Sequence, residues 1–361
     1  MIGTRVEKFY TAMERMAYLY DLNGRRMGFD CDSIGGYATW KKEVRAKLSE
    51  ITGIEKMQAC DLTPEVSPAE AEDGYDRTRI VIQCEPGVRM PMFMLKPNGI
   101  KPGEKRPVVI CPHGHGSAGK NSPAGITSIP PVAEAVKHFN YDYGVQFAKR
   151  GFVVFCPDAR AFGERRENTL QGDDETSFMN SSCMQLNHMA ICLGLSLTGM
   201  WTFDLIRLID YIETRDDCDA GRVACAGLSG GGLQTLWLAA MDDRVKCAVT
   251  SGYFYGYKDS LLRLSGNCAC NYVPHLWEYV DMCDLGALIA PRPLLVETGD
   301  MDPLNGERGV ANVTEQLEIT KKAYRLYGAV LNVSHAVFHG EHRWGGEATY
   351  DFVTRALCGE G

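Results

Sequence analysis

Val223-Ala224-Cys225-Ala226-Gly227-Leu228-Ser229-Gly230-Gly231-Gly232-Leu233-Gln234-Thr235-Leu236-Trp237 is the stretch on which the fold turns. Its first third is a short apolar run suited to a buried strand, and its last third is helix-forming. Between them stands a G-x-S-x-G sequence, Gly227 to Gly231, in the strand-then-helix context that a nucleophile elbow requires. The turn is tight: a Cβ at 227 or 231 would collide with neighbouring backbone, while Ser229 is thrust up at the strand end. The amide of Gly230, at the start of the helix, then points at the place where an oxyanion would develop.

Working outward, short apolar strands alternate with longer helical segments. The strands are expected at Val108–Cys111, Phe152–Cys156, Val223–Ala226, Cys247–Thr250, Leu294–Glu297 and Asn332–Val337. Helices are expected at Tyr141–Arg150, Met200–Thr214, Leu233–Met241, Glu315–Tyr327 and Tyr350–Leu357. In the second of these, Trp201, Leu205, Leu208 and Ile212 recur at spacings of one helical turn, as a stripe facing a sheet would. Such alternation implies a mostly parallel central sheet with helices on both faces, which together with the elbow is the arrangement expected of an α/β-hydrolase fold. Upstream, Thr78, Ile80, Ile82 and Cys84 alternate, Glu85-Pro86-Gly87-Val88 turns, and Met90 to Leu95 runs back as a hairpin at one edge. Residues 1–60 read as an N-terminal helical extension and residues 61–361 as the catalytic domain. Two long stretches, about 163–199 and 254–290, are expected as insertions over the carboxyl ends of the strands, where ligands bind.

A nucleophilic serine needs a base, and the base needs an orienting acid, in the order Ser, Asp or Glu, His for this fold. Beyond the strand Leu294–Glu297 come Asp300 and Asp302. Asp302 is the chosen acid because Gly299-Asp300-Met301-Asp302-Pro303 places it one turn past the strand end; Asp300 is the alternative, and Glu297 lies inside the strand. Of the histidines after the last strand, His342 is the chosen base, His339 the fallback, and His335 lies within the strand. Upstream, Cys111-Pro112-His113-Gly114-His115-Gly116 ends the first parallel strand in a glycine-rich turn. Gly114 or His115 would supply a second oxyanion amide beside Gly230. Metal ligation by His113-x-His115 is the competing reading, and no matching carboxylate and histidine set appears at other strand ends. Cys268-x-Cys270 with His275 and Cys283 invites zinc, but the spacing is tighter than the common Cys-x-x-Cys loop and no second pair follows. A partly buried loop near the site is expected there instead. Tyr253, Trp277 and Trp344 are the expected substrate-stacking aromatics, with Tyr255 in the same cluster; filling core is their other reading.

The run from Tyr75 to Cys358 resembles bacterial α/β-hydrolases of the dienelactone hydrolase and acetyl xylan esterase-like group. The matching residues include Cys84-Glu85-Pro86-Gly87-Val88, Cys111 to Gly116, Pro157-Asp158-Ala159-Arg160-Ala161-Phe162-Gly163-Glu164-Arg165 and Gly227 to Gly231. Cys268-Ala269-Cys270-Asn271-Tyr272-Val273-Pro274, Ala290-Pro291-Arg292-Pro293 and Phe338 to Gly345 match as well. The resemblance implies an acid at Asp302, a base at His342, and a small acyl group such as acetyl on a carbohydrate. One departure is Gly340-Glu341-His342, where relatives show Gly-Gly-His. The expectation is therefore a serine carboxylesterase that works through an acyl-enzyme and needs no cofactor or metal. The rival readings are a serine peptidase of prolyl-oligopeptidase type, a dienelactone-type lactone hydrolase, and a binding module on an inactive hydrolase fold.

Composition bounds the partners. With 361 residues, 45% hydrophobic and 23% charged, the chain can bury a large core. A formal net charge of -8 argues against nucleic acid or an anionic membrane. No targeting segment or membrane-length apolar run is visible. The 14 cysteines, many inside strands, behave as small hydrophobes, so a reducing cytoplasm is expected. The substrate is expected to be a small-molecule or oligosaccharide ester, and the helical N-terminus offers a surface for homo-oligomer formation.

Overall fold

The computed structural model describes residues 8–172, 174–264 and 267–359; residues 1–7 of the expected N-terminal extension lie outside that range. Ten strands form one sheet: β1 (Glu65–Val66), β2 (Glu70–Ala71), β3 (Tyr75–Glu85), β4 (Val88–Pro97), β5 (Arg106–Ile110), β6 (Val153–Pro157), β7 (Cys218–Leu228), β8 (Val245–Ser251), β9 (Leu294–Gly299) and β10 (Val333–Phe338). The order is β1-β3-β4-β6-β5-β7-β8-β9-β10, with β2 also on β3. β4 meets β6 antiparallel, and from β6 to β10 every pairing is parallel. The six parallel strands lie within a few residues of their expected positions, and the hairpin sits at the edge. β1 and β2, two residues each, carry no readable pattern in the sequence.

Alternate residues of each central strand feed two separate cores. Val108, Ile110, Val153, Phe155, Val223 and Cys225 join one; Val109, Cys111, Val154, Cys156, Ala224 and Ala226 join the other. The first core is covered by α1 (Met13–Asn23) and α2 (Ile34–Thr52) together with α7 (Leu197–Glu213), α8 (Gly230–Met241), α10 (Met282–Ile289) and α11 (Val310–Leu326). The second is covered by α3 (Pro130–Phe139), α4 (Tyr143–Ala148) and α12 (Thr349–Cys358). Strands buried on both faces explain why the parallel segments read as unbroken apolar runs rather than alternating ones. The short helices α5 (Glu175–Met179), α6 (Cys183–Cys192) and α9 (Leu276–Tyr279) lie in the two long connections.

The N-terminal helices dock on that frame. α2 starts at Ser33, whose Oγ accepts from the Gly36 amide, and ends at Gly53 in the left-handed region. Its buried stripe, Tyr37, Trp40, Val44 and Leu48, belongs to the main core. Tyr37 Oη donates to the carbonyls of Ala287 and Ala290, and Arg25 makes two 2.8 Å bonds to the buried Asp284. The receiving helix α10 is fully buried and opens with a capping box of Asp281 and Asp284. The back half of the 254–290 stretch is thus a core layer against α8 and α11, which narrows the expected insertion to its front half. Among the described residues no single helix is long and apolar enough to cross a membrane.

Candidate functional site

The elbow is as tight as its glycines suggest. A Cβ on Gly227 would stand 2.5 Å from the Gly231 carbonyl, and one on Gly231 would stand 2.2 Å from the Pro112 carbonyl oxygen. Ser229 itself takes φ +59°, ψ -120°, a conformation that costs a non-glycine residue on the order of 1–3 kcal/mol. The turn is held there by its amide, which donates to Ser251 at 2.9 Å, and its carbonyl, which accepts from Leu233 at 2.9 Å.

Beside the elbow runs the 112–117 loop, with its carbonyls tied back. Tyr143 Oη donates to Pro112 at 2.6 Å, Gln234 Nε2 to His113 at 2.9 Å, Ser117 Oγ to Gly114 at 2.7 Å and Tyr141 Oη to His115 at 2.8 Å. With the oxygens turned away, the amides of His115 and Gly230 find no acceptor among the described residues, while that of Gly114 faces the Tyr141 hydroxyl. His113 is buried; its Nε2 accepts from the Ala159 amide at 3.1 Å, and burial pushes its pKa down to about 4. It is engaged away from His115, so the two do not form the metal pair considered from sequence.

Two aspartate–histidine pairs lie on the loops after β9 and β10. His342 Nδ1 lies 2.7 Å from Asp302 Oδ2, with Asp302 buried and its Oδ1 accepting from the Leu304 amide at 2.9 Å. His339 Nδ1 lies 3.1 Å from Asp300, and both side chains are exposed. The Gly340 amide and His339 hold the Asp300 carboxyl below its ordinary value. Gly299 lets the two loops cross, since a Cβ there would stand 2.5 Å from the carbonyls of Gly340 and Glu341. The Glu341 side chain is exposed. Glu297 is buried, bonded to the Gly346 amide at 2.9 Å and to Thr349, and burial raises its pKa. His335 is half-buried on Thr298 at 3.0 Å, with burial pushing it down to about 4.

A cavity of about 470 Å³ joins Ser229, Gly230 and His342, a volume typical of small-molecule sites. Tyr253, Tyr255, Tyr141, Phe139 and Leu304 form apolar walls; Ser181, Asn267, Cys268 and Asn271 line it from the two long connections. Asn271 Oδ1 is buried without a partner among the described residues. Of the three expected substrate aromatics, the structure brings only Tyr253 to this cavity. Trp344 is buried and stacks on Tyr143 at 4.4 Å, inside the second core. Trp277 packs on Tyr20, Tyr257 and Tyr272, where it joins α1 to the domain. The causes differ: Trp344 fills the second core, whereas Trp277 sits half-buried on α9, where it packs against α1. Phe139, Tyr141, Ser181, Asn267 and Asn271 were not foreseen: Phe139 ends α3, Asn271 sits in a stretch read for its cysteines, and the others reach the cavity from loops with no motif of their own.

The cysteines of the second connection are not where zinc was weighed. His275 is exposed on Glu278 at 2.7 Å, and Cys283 is buried in α10. Cys268 and Cys270 instead meet His115, with Cys270 Sγ 3.8 Å from His115 Nε2. Cys183, at the start of α6, neighbours the two thiols. Bonds from Cys183 and Cys270, with His115, hold the Cys268 thiol far below its ordinary value, while burial raises Cys270.

A buried ionic network carries the Asp158-to-Arg165 motif. Lys120 bonds Asp158 at 2.7 Å, and Arg160 joins Asp204 at 2.8 Å and Glu85 at 2.6 Å, with Arg165 also on Asp204 at 2.8 Å. These pairs fix the loop after β6 beneath the 112–117 turn.

The sequence profile of the Abhydrolase family matches residues 28–349. A candidate hydrolase of Bacillus subtilis (strain 168), YtaP, is 27% identical over 231 residues, 63% of this chain and 71% of that one. Among solved structures, a candidate acetyl xylan esterase of Bacteroides fragilis NCTC 9343 superposes with a TM-score of 0.72 at 19% identity, covering 93% of this chain and 84% of that one. A glucuronoyl esterase from Teredinibacter turnerae T7901 gives 0.64 at 16%, covering 92% and 88%. At these identities the structural likeness is one of fold.

Proposed function

The chain belongs to the Abhydrolase family, and on that premise we propose that it is a serine carboxylesterase acting on a small acyl ester, of acetyl type, carried by a carbohydrate. The observation that carries this reading is the buried 2.7 Å contact of His342 with Asp302, in the same cavity as a strained Ser229. His342 Nδ1–H donates to the Asp302 carboxylate, which leaves Nε2 to act as base. Ser229 Oγ gives its proton to Nε2 and attacks the ester carbonyl. The amides of Gly230 and of Gly114 or His115 receive the oxyanion, each contributing roughly 2.7–4 kcal/mol where such donors have been removed in other enzymes. The alcohol leaves with the proton from His342. Water, deprotonated by the same Nε2, then releases the acid and restores Ser229.

The substrate class rests on two supports. The neighbours named for acetyl xylan and glucuronoyl esters act on carbohydrate esters by their names. The cavity pairs tyrosine faces with the Asn267 and Asn271 amides, a combination suited to a polyol.

The test is hydrolysis of p-nitrophenyl acetate and butyrate, and release of acetate from acetylated xylo-oligosaccharide, by the wild type and Ser229→Ala. Acetate faster than butyrate, with both lost in the variant, is the expected result. Hydrolysis that survives Ser229→Ala removes the nucleophile. Cleavage of a peptide substrate in preference to the esters moves the reading to a peptidase.

A further inference from the structure

We propose that His115, Cys268 and Cys270 form a binding site for a thiophilic divalent metal, zinc by ligand type, in the wall of the cavity. The ligand atoms of His115, Cys268 and Cys270 lie within 4.8 Å of one another, and Cys270 Sγ is 3.8 Å from His115 Nε2. A tetrahedral zinc with sulfur at about 2.3 Å and nitrogen at about 2.0 Å sets its ligands about 3.5–3.8 Å apart. The observed spacing needs little adjustment to meet that. Cys183, the neighbouring thiol on α6, stands outside that set and would have to move inward to become a fourth ligand.

The chemistry of the set is selective. Two thiols and one imidazole, with no carboxylate among them, favour zinc over calcium or magnesium. Three protein ligands leave the fourth position to water or a further thiol. The ligands come from two separated segments: the 112–117 loop and the loop after β8. A metal would staple the second long connection to the loop that carries the Gly114 and His115 amides. Its effect on that loop is direct, because a Cβ on Gly230 would stand 3.1 Å from His115 Nδ1. The ring thus lies between the elbow and the thiols, and fixing its Nε2 fixes the peptide beside Ser229. This is a site for metal where the sequence reading assigned none, and it stands apart from the identity of the ester.

The experiment is metal analysis of the full chain, expressed with zinc and purified without chelator, by inductively coupled plasma mass spectrometry. About one zinc per chain is expected for the wild type. It should be lost in Cys268→Ser and Cys270→Ser and kept in Cys192→Ser, whose thiol is exposed on the far end of α6. Should the serine variants fail to fold, cobalt substituted into the wild type gives an independent reading. Strong thiolate-to-cobalt charge-transfer absorption, abolished by a mercurial, supports the site. Zinc retained in Cys268→Ser overturns the proposal. So does a metal-free wild type that yields no cobalt spectrum, or one whose thiols are found as a disulfide by intact mass. None of these readouts depends on esterase activity, so the site and the proposed reaction fail separately.

Discussion

Two aspartate–histidine pairs, built from the same two loops with the aspartates two residues apart and the histidines three, differ in almost everything that matters to catalysis. Asp302 and His342 meet at 2.7 Å with the carboxylate buried and the imidazole on the cavity. Asp300 and His339 meet at 3.1 Å on the surface, where water and salt screen them. Residue type and spacing are nearly the same, so what separates the pairs is burial. A loop that turns once more before it ends places one carboxylate under the protein and the other in solvent.

The comparison breaks first at the histidines. His342→Ala should lower kcat for p-nitrophenyl acetate by about 10⁶-fold, the scale seen when a triad base is removed, while His339→Ala stays within about threefold, as surface substitutions do. Equal losses in both would erase the distinction. At the acids, Asp302→Asn should cost about 10⁴-fold through the wrong histidine tautomer, and Asp300→Asn should leave kcat near that of the wild type. A reversed pattern would move the acid to Asp300.

A finer test perturbs the buried pair without touching it. Gly252 sits at φ +59°, and a Cβ there would stand 2.9 Å from His342 Cε1. Gly252→Ala should lower kcat by about 10²-fold by displacing the ring on the order of 1 Å, with the His339 ring signals unmoved in NMR spectra at one pH. Activity unchanged by this substitution would show that His342 has more room than its surroundings suggest.

The smallest effect concerns the frame around both pairs. His113 and His335 are pushed by burial to about 4, against about 6.5 in an unfolded chain. Between those values the unfolded chain binds protons that the folded one refuses, so stability is complete above about pH 6.5 and falls as the pH drops toward 4. Below that, Glu164 adds to the loss. Its burial raises its pKa, but Arg79 and Lys120 outweigh this and hold it at about 2, so its share is present above its unfolded value and is lost as pH falls through 2. Urea unfolding at pH 7.5, 6.5, 5.5 and 4.5 measures the first window; a flat midpoint across it would contradict the burial of the two histidines.

Much of this architecture was legible. The parallel strands were readable because burial on both faces makes each an apolar run, and the elbow because its glycines are demanded by contacts one residue away. Asp302 and His342 could be located because strand ends set where the loops begin. The rest was hidden for physical reasons. Trp344 and Trp277 have no sequence feature that separates a ring facing a cavity from a ring filling core. α10 was readable in principle from Asp281 and Asp284 at capping-box spacing, but the apolar run behind them is only two turns long. The cluster of His115, Cys268 and Cys270 gathers from two segments, and spacing along one chain carries no trace of such a meeting.

The central claim is that Ser229 is activated by the buried pair and by no other group. Intact-mass analysis after reaction with a fluorophosphonate tests it most directly, on the wild type, Ser229→Ala, His342→Ala and His339→Ala. A single adduct mapped to Ser229, formed at the wild-type rate in His339→Ala, slowed by several decades in His342→Ala and absent in Ser229→Ala, is the predicted result. An adduct that persists in Ser229→Ala, or that forms equally fast without His342, would contradict it.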